Sequence, residues 1–175
     1  QICAKSPLGE RETFSYASFG GGWGTILKYA GFDGLVVQGK AERPVYILIN
    51  DGKVEIRDAS LLWGKTTFQV FELLKAELGS KISILTIGQA AENIVSFASL
   101  LTDDGASGSG GLGSVMGSKL LKAIVVAGSR RPEAANPDEL RNLAVRIKQM
   151  REMKFYSATP PWGVPGVTKL QICYG

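Results

Sequence analysis

Two clusters of glycine are the residues best placed for chemistry in this chain. The first is Gly20-Gly21-Gly22 with Gly24; the second runs from Gly105 to Gly117 and includes Gly108, Gly110, Gly111 and Gly113. Backbone without a Cβ reaches positive φ and lets a ligand come close, and successive free N–H groups make an anion site. Two such loops predict a ligand with two phosphates or two anionic halves. Glycines also let strands pack tightly on short helices, and the residues alone leave both roles open.

Other patterns are weaker. Gly108-Ser109-Gly110-Gly111-Leu112-Gly113 satisfies G-x-G-x-x-G, and Ser129-Arg130-Arg131 further on could grip an NADP 2′-phosphate. However, Thr102–Ser107 intervenes before the first glycine, and about eight residues separate Gly113 from the next strand, too few for a complete crossover helix. NADP binding is therefore a remote alternative. Gly34-Leu35-Val36-Val37-Gln38-Gly39-Lys40 resembles a P-loop, but Ala41 stands where Ser or Thr must hold Mg²⁺, and the interior is apolar. Asp103-Asp104 could take a cation or an N–H edge or be an ordinary polar loop, and Glu92-Asn93 is equally ambiguous. Trp23 is either a floor for a flat ligand or core. Arg141 and Lys148 share one helix face while Arg146 points elsewhere, so they form no converging patch.

The elements that would carry the glycine loops follow from periodicity. Phe14–Ser18 is predicted as a strand, Thr25–Ala30 as a short helix closed by Gly31, and Leu35-Val36-Val37 as a buried strand. Val45–Asn50 and Lys53–Arg57 flank Asp51-Gly52, a hairpin signal that requires positive φ. Thr66 or Thr67 caps a helix with Phe68, Phe71, Leu74 and Leu78 inward, ending at Gly79. Ile82–Ile87, Ile94–Leu101 and Ala123–Ala127 are further strands. Asn136-Pro137-Asp138-Glu139 opens a helix running to about Met153, and Thr159–Gly166 is turn-rich.

Gly21-Gly22-Trp23-Gly24 aligns with Gly110-Gly111-Leu112-Gly113 at an offset of 89, and the register holds without a gap to Gly39 and Gly128. Upstream, Phe14–Ser18 matches Val95–Ser99, with eight extra residues in the second copy. This pattern predicts an internal duplication of about 14–39 and 95–128: strand, glycine loop, short helix, buried strand.

Composition narrows the classes. The chain has 175 residues, 45 % hydrophobic, with 22 glycines and a net charge of +4. Histidine is absent, and Cys3 and Cys173 lie near opposite ends, so no His-based triad or self-contained zinc or iron–sulfur site can be built from this chain alone. No Lys/Arg run points to nucleic acid, and no apolar run is long enough for a membrane span. The expected localisation is cytoplasmic, and the Gln1 and Cys173-Tyr174-Gly175 ends suggest part of a longer chain.

Lys5-Ser6-Pro7-Leu8, Gly21–Gly24, Leu27–Ala41, Val54–Ser60 and above all Gly110-Gly111-Leu112-Gly113-Ser114-Val115-Met116-Gly117-Ser118-Lys119-Leu120-Leu121-Lys122-Ala123-Ile124 resemble the N-terminal domain of the aldehyde ferredoxin oxidoreductase family. These are tungsten-pterin enzymes that include the catalytic subunit of ATP-independent benzoyl-CoA reductases. The resemblance covers roughly residues 3–145. It implies an α+β fold of two stacked β-sheets flanked by helices, built from two intertwined repeats. It further implies a base for two pterin-dithiolene halves of a tungsten cofactor, phosphates bridged by Mg²⁺, the metal held by sulfurs. By position the first pterin loop falls on Ser18, Phe19, Gly20 and Gly21. The second falls on Gly105, Ala106, Gly108, Ser109, Gly110 and Gly111, with Leu112 and Gly113 beginning the helix. Main-chain carbonyls of Ser18 and Ala106 match those that bind Mg²⁺. Cys173-Tyr174-Gly175 resembles the start of the family's C-Y-x-C-P-x-x-C motif, which would make Cys173 the first ligand of a 4Fe–4S cluster.

The sequence departs from the family at Ser18, often Asn, and at Gly105 and Ser109, often Arg. Two missing guanidinium groups remove charge-assisted hydrogen bonds of about 1.5–3 kcal/mol each. The expected organisation is a cofactor-binding domain over 1–135, a helix over 136–153 and a connector over 154–175 toward a cluster-bearing domain. The implied function is electron transfer between an aldehyde, other oxo or acyl-CoA substrate and ferredoxin or an electron-transfer subunit. The competing reading is a noncatalytic scaffold or subunit-contact domain of the same fold.

Overall fold

Asp51-Gly52 turns the chain back on itself with φ of 43° and 91°, the positive pair that a type I′ hairpin needs. It joins β3 (Val45–Asn50) to β4 (Lys53–Asp58) in the predicted antiparallel register, with Asn50 opposite Lys53. The computed structural model that shows this describes residues 1–9 and 13–152, with side chains through 149. Cys173 and the connector predicted over 154–175 lie outside the described residues. Contacts divide the chain at Arg131/Pro132 into two units.

In the first unit, β1 (Ile2–Lys5) pairs antiparallel with β2 (Phe14–Ala17) in a two-stranded sheet. The larger sheet has six strands in the order β4-β3-β8-β5-β6-β7, where β5 is Ser83–Ile87, β6 Leu100–Thr102, β7 Ser107–Gly108 and β8 Leu121–Ala127. Only β3 and β8 run parallel; the other neighbours are antiparallel. One face of this sheet packs on α1 (Trp23–Tyr29), α3 (Gln89–Glu92) and α4 (Leu112–Ser118) through Leu27, Leu85, Ala91, Leu112, Met116 and Ile124. Its other face packs on α2 (Thr67–Leu78) through Tyr46, Val70, Leu74, Ile84 and Val125. Two sheets with helices give the α+β class that the resemblance implied.

The helices are set by local chemistry. Thr66 accepts from Gln69 N–H at 3.3 Å, and Gln69 reaches back to Thr66 N–H at 3.0 Å, a complete capping box at the predicted start of α2. The inward face differs from expectation: Phe68 is 69 % exposed, edge-on to Phe71, whereas Val70 is fully buried. The first and last residues of α1 and α4 coincide at the offset of 89. Gly21 and Gly110 precede them at φ of 84° and 73°, and Gly31 and Leu120 follow at 97° and 56°.

Two predicted strands differ from expectation. Leu35-Val36-Val37 joins neither sheet: Val36 is 82 % exposed, while Leu35 and Val37 pack part-buried against the core. Of Ile94–Leu101 only the end is strand; Ile94 N–H, Val95 N–H and Ala98 N–H donate to Ala91, Ala90 and Val95, so local turns use the bonds a ladder would need. The strand correspondence in the duplication therefore fails at both places while the helices keep it.

β8 contains a bulge: Val45 pairs with Leu121 and Tyr46 with Ala123, leaving Lys122 as the extra residue. Thr86 Oγ1 donates to the Lys122 carbonyl at 2.9 Å. The Lys122 side chain is completely buried; its ammonium pairs with Glu92 and donates to the Lys65 carbonyl at 2.9 Å. Burial lowers the Lys122 pKa, an effect opposed by Glu92.

The second unit is described by α5 (Pro137–Glu152), which begins as predicted. Asn136 Oδ1 accepts from Glu139 N–H at 3.2 Å, and Arg141 pairs with Asp138 at 3.1 Å. Among the described residues no helix is long and apolar enough to cross a membrane.

Glu92→Ala leaves the Lys122 ammonium buried without its counter-charge and is expected to destabilise the fold by about 3–5 kcal/mol, whereas replacing both residues with Met should recover most of the loss. Urea unfolding checks this; a cost near zero for the single variant shows that the pair is dispensable.

Candidate functional site

β2 delivers the chain to the first glycine loop. Ala17 ends the strand buried; Ser18, Gly20 and Gly21 are exposed, and half-buried Phe19 packs on the core and anchors the loop between them. Gln1 Nε2 donates to Ser18 Oγ at 3.3 Å. Trp23 then opens α1, 8 % exposed, its Nε1 donating to the Ile124 carbonyl at 3.1 Å. Trp23 is thus a core residue whose ring also reaches the cavity behind the loop.

The second loop leaves β6 at Thr102. Asp103 Oδ1 accepts from Ile84 N–H at 2.9 Å and Ser83 Oγ at 3.1 Å, and Oδ2 pairs with Lys75 at 2.7 Å. Asp103 is thus spent on holding the turn to β5 and α2. Asp104 points the other way: it accepts from Thr102 Oγ1 at 2.5 Å and from Gly22 N–H in the first loop. Burial, the largest influence, pushes the Asp104 carboxyl up, but bonds from Thr102 and from backbone N–H groups including Gly22 and Ala106 hold it below its ordinary value.

Gly21, Asp104, Gly105 and Ala106 line one open cleft of about 410 Å³. Two loops far apart in sequence therefore meet. Gly105 stands at φ 89° with open space where a Cβ would be. Behind the first loop lies a larger cavity of about 560 Å³ reached by Phe19, Gly20, Gly21, Trp23, Leu112 and Met116.

The remaining glycines of the second cluster face protein. A Cβ on Gly108 would stand 2.8 Å from Leu100 Cδ1, on Gly110 2.6 Å from Ser15 Oγ, and on Gly113 2.8 Å from the Ala98 carbonyl oxygen. On Gly111, at φ 76°, it would strike the Ser96 carbonyl and Pro7. Ser15 Oγ also donates to the Gly110 carbonyl at 2.9 Å, so β2 clamps the second loop from below. Gly108, Gly111, Leu112 and Gly113 are buried, Gly110 is half-buried and Ser109 is exposed.

Several sequence candidates lie elsewhere. Glu92 is committed to Lys122. Ser129 donates to Asp51 through both its N–H and its hydroxyl, and Arg130 donates to the Asp51 carbonyl, so this stretch caps the hairpin rather than gripping a ligand phosphate. The Gly39 carbonyl accepts from Lys119 Nζ at 2.8 Å, and the 34–40 segment forms no phosphate cradle. Among the described residues no group of three or more His, Cys, Asp or Glu could hold a metal ion. Sequence reading missed the linkage through Ser15, Thr102 and Asp104. Its one visible signal was the eight-residue excess in the second copy, which is where Asp103 and Asp104 sit.

Residues 1–128 match the family model described as aldehyde ferredoxin oxidoreductase, N-terminal domain. The chain is 46 % identical over 154 residues to the tungsten-containing aldehyde ferredoxin oxidoreductase of Pyrococcus horikoshii, covering 86 % of this chain and 25 % of that protein. It is 48 % identical over 149 residues to the enzyme of the same name from Pyrococcus furiosus, covering 84 % and 24 %. Among solved structures, the active site complex BamBC of benzoyl coenzyme A reductase, in complex with 1,5-dienoyl-CoA, matches with a TM-score of 0.81 at 37 % identity. That match covers 88 % of this chain and 24 % of that one. The chain spans about a quarter of the length of the curated relatives it matches.

Gly111→Ala combines left-handed backbone with the contact on Ser96 and Pro7, so it should destabilise the protein by more than the about 1–3 kcal/mol of such strain alone. Gly105→Ala meets open space and should cost no more than about 1–2 kcal/mol. Denaturant midpoints of the two variants check the division of the glycines; the reverse order overturns it.

Proposed function

Since the chain belongs to the aldehyde ferredoxin oxidoreductase family, we propose that it is the cofactor-binding portion of a tungsten–bis-pterin, iron–sulfur oxidoreductase. Its substrate would be an aldehyde, another oxo compound or an acyl-CoA, and its electron partner ferredoxin or an electron-transfer subunit. The observation that carries this reading is the convergence of both glycine loops on one cleft, with Gly105 bare at its edge. A two-halved cofactor needs two related loops facing one space.

The residues present fit such a group. Ser18, Phe19, Gly20 and Gly21 would hold one half; Gly105, Ala106, Gly108, Ser109, Gly110 and Gly111 would hold the other, with Leu112 and Gly113 starting the helix beneath it. Backbone N–H groups at the exposed positions would take phosphate or pterin acceptors, and the Ser18 and Ala106 carbonyls would face Mg²⁺. The Ala106 carbonyl already accepts from Thr102 N–H at 2.8 Å and lies 3.0 Å from Thr102 Oγ1. That hydroxyl has one proton and a shorter contact, 2.5 Å, to Asp104. With the Thr102 hydroxyl donating to the Asp104 carboxylate, the Ala106 oxygen keeps a lone pair for the cation. When bound, the tungsten centre supplies two-electron redox chemistry at a metal held by dithiolene sulfurs; this chain's part is to bind and orient it. Cys173 is proposed, on the Cys173-Tyr174-Gly175 pattern alone, as the first ligand of a 4Fe–4S cluster.

A second reading, a noncatalytic domain that has lost the cofactor, is favoured by one feature. The cleft carries the Asp104 carboxylate, and Gly105 and Ser109 offer no guanidinium to balance an anion. Metal analysis and pterin fluorescence on natively purified full-length protein separate the two. Tungsten with pterin is the expected result. Protein containing neither tungsten, molybdenum nor pterin excludes the enzyme and leaves the scaffold.

A further inference from the structure

We propose that Asp104 is a positioning residue that clasps the two glycine loops together and sets their separation before the cofactor arrives; this rests on the functional reading above. The clasp starts in the sheet. Asp103, its side chain 10 % exposed, is pinned to β5 by Ile84 N–H and Ser83 Oγ and to α2 by Lys75, which fixes the backbone that presents Asp104. Thr102, fully buried at the end of β6, donates its hydroxyl to one Asp104 oxygen at 2.5 Å. The other oxygen reaches across to Gly22 N–H, the residue immediately before α1.

Gly21 makes room for this. At φ 84° it lies in the region that favours glycine, and a Cβ there would occupy the place of the Asp104 carboxylate. Gly21, Gly22 and Asp104 are thus one unit, in which a bare backbone, an N–H and an acid require one another. Apart from this clasp the first loop is held by Phe19 on the core, and its one side-chain hydrogen bond between Ser18 and Gly21 runs from the exposed Gln1 side chain to the Ser18 hydroxyl at 3.3 Å. The second loop has firm supports of its own, from Ser15 to the Gly110 carbonyl and from Gly113 N–H to Ala98. Asp104 therefore transfers the rigidity of the second loop to the first. A ligand with two linked halves gains most from loops whose spacing is settled in advance, because the ordering cost is then met during folding rather than during binding.

The test uses full-length protein, expressed without tungstate for hydrogen–deuterium exchange and with tungstate for metal content. In tungsten-free protein, Asp104→Ala should raise exchange in the 18–24 segment by roughly tenfold or more, the loss of one charge-assisted hydrogen bond, while exchange in β8 stays unchanged. Asp104→Asn, isosteric and still an acceptor, should fall between Asp104→Ala and wild type and covers the case in which the Ala variant fails to fold. In tungstate-grown cells both variants should hold less tungsten and pterin per chain than wild type, with Asn rescuing part of the loss. Exchange at 18–24 identical to wild type in either variant overturns the clasp. Faster exchange with full tungsten loading overturns its role in positioning. Wild-type protein that holds no tungsten, molybdenum or pterin defeats the functional reading instead, and the exchange comparison still decides the clasp.

Discussion

A lysine with no solvent exposure sits in the central strand of the six-stranded sheet, and the arrangement of the second glycine loop depends on how its charge is met. The bulge in β8 places Lys122 outside the pairing with β3, and its ammonium reaches Glu92 at the end of α3 and the Lys65 carbonyl. Glu92 also accepts from Gly64 N–H at 2.9 Å, so one ion pair ties the central strand, α3 and the loop before α2. α3 in turn is the surface on which α4 rests: a Cβ on Gly117 would collide with the Ala91 carbonyl, so the two helices approach backbone to backbone. Moving α3 would move α4, and α4 begins at the second glycine loop. Burying both charges is costly, and only close pairing with the remaining donors and acceptors satisfied makes it tolerable. Here the neighbouring backbone supplies those bonds, and the lysine shows its desolvation as a lowered pKa.

The glycine excess answers to two separate constraints. Gly111, Gly113, Gly117 and Gly128 face backbone atoms of Ser96, Ala98, Ser99, Ala91 and the end of α1, where any side chain would force elements apart. Gly21 and Gly105 take positive φ at the cleft, one against a carboxylate and one against open space. The first group builds the platform and the second leaves it uncovered. Only the second lines the open cleft, although both look alike as letters in a sequence.

That likeness explains what the sequence made legible. The hairpin, the start of α2 and the start of α5 were readable because each is decided by neighbours within a few residues: Asp51-Gly52, Thr66 with Gln69, and Asn136-Pro137. α1 and α4 were readable as a pair because the offset of 89 preserves their bounds and the glycines before them. Leu35–Val37 and Val95–Ser99 carry strand-like residues, but a strand needs a free partner edge or a free set of backbone bonds. At Val95–Ser99 local turns back to Ala90 and Ala91 take those bonds, and Leu35–Val37 packs on the core without joining a sheet. Asp103 and Asp104 show the same limit at the site. Adjacent and identical in type, they face opposite directions, one into the sheet and one across the cleft.

The charge in the cleft then bears on what a site of this kind has to be. Gly105 and Ser109 offer no guanidinium groups, and the lining supplies a carboxylate. A phosphate approaching that carboxylate directly would meet like charge, whereas a divalent cation between them reverses the sign of the interaction. The remaining recognition falls to backbone N–H and carbonyl groups, whose positions depend on the glycine φ angles and on the clasp from Asp104 rather than on side-chain identity. A cofactor base built in this way, without arginines, would work only as long as its loops are held at the right distance. That requirement leads from the cleft through Thr102, Asp103 and Ser15 back into the two sheets.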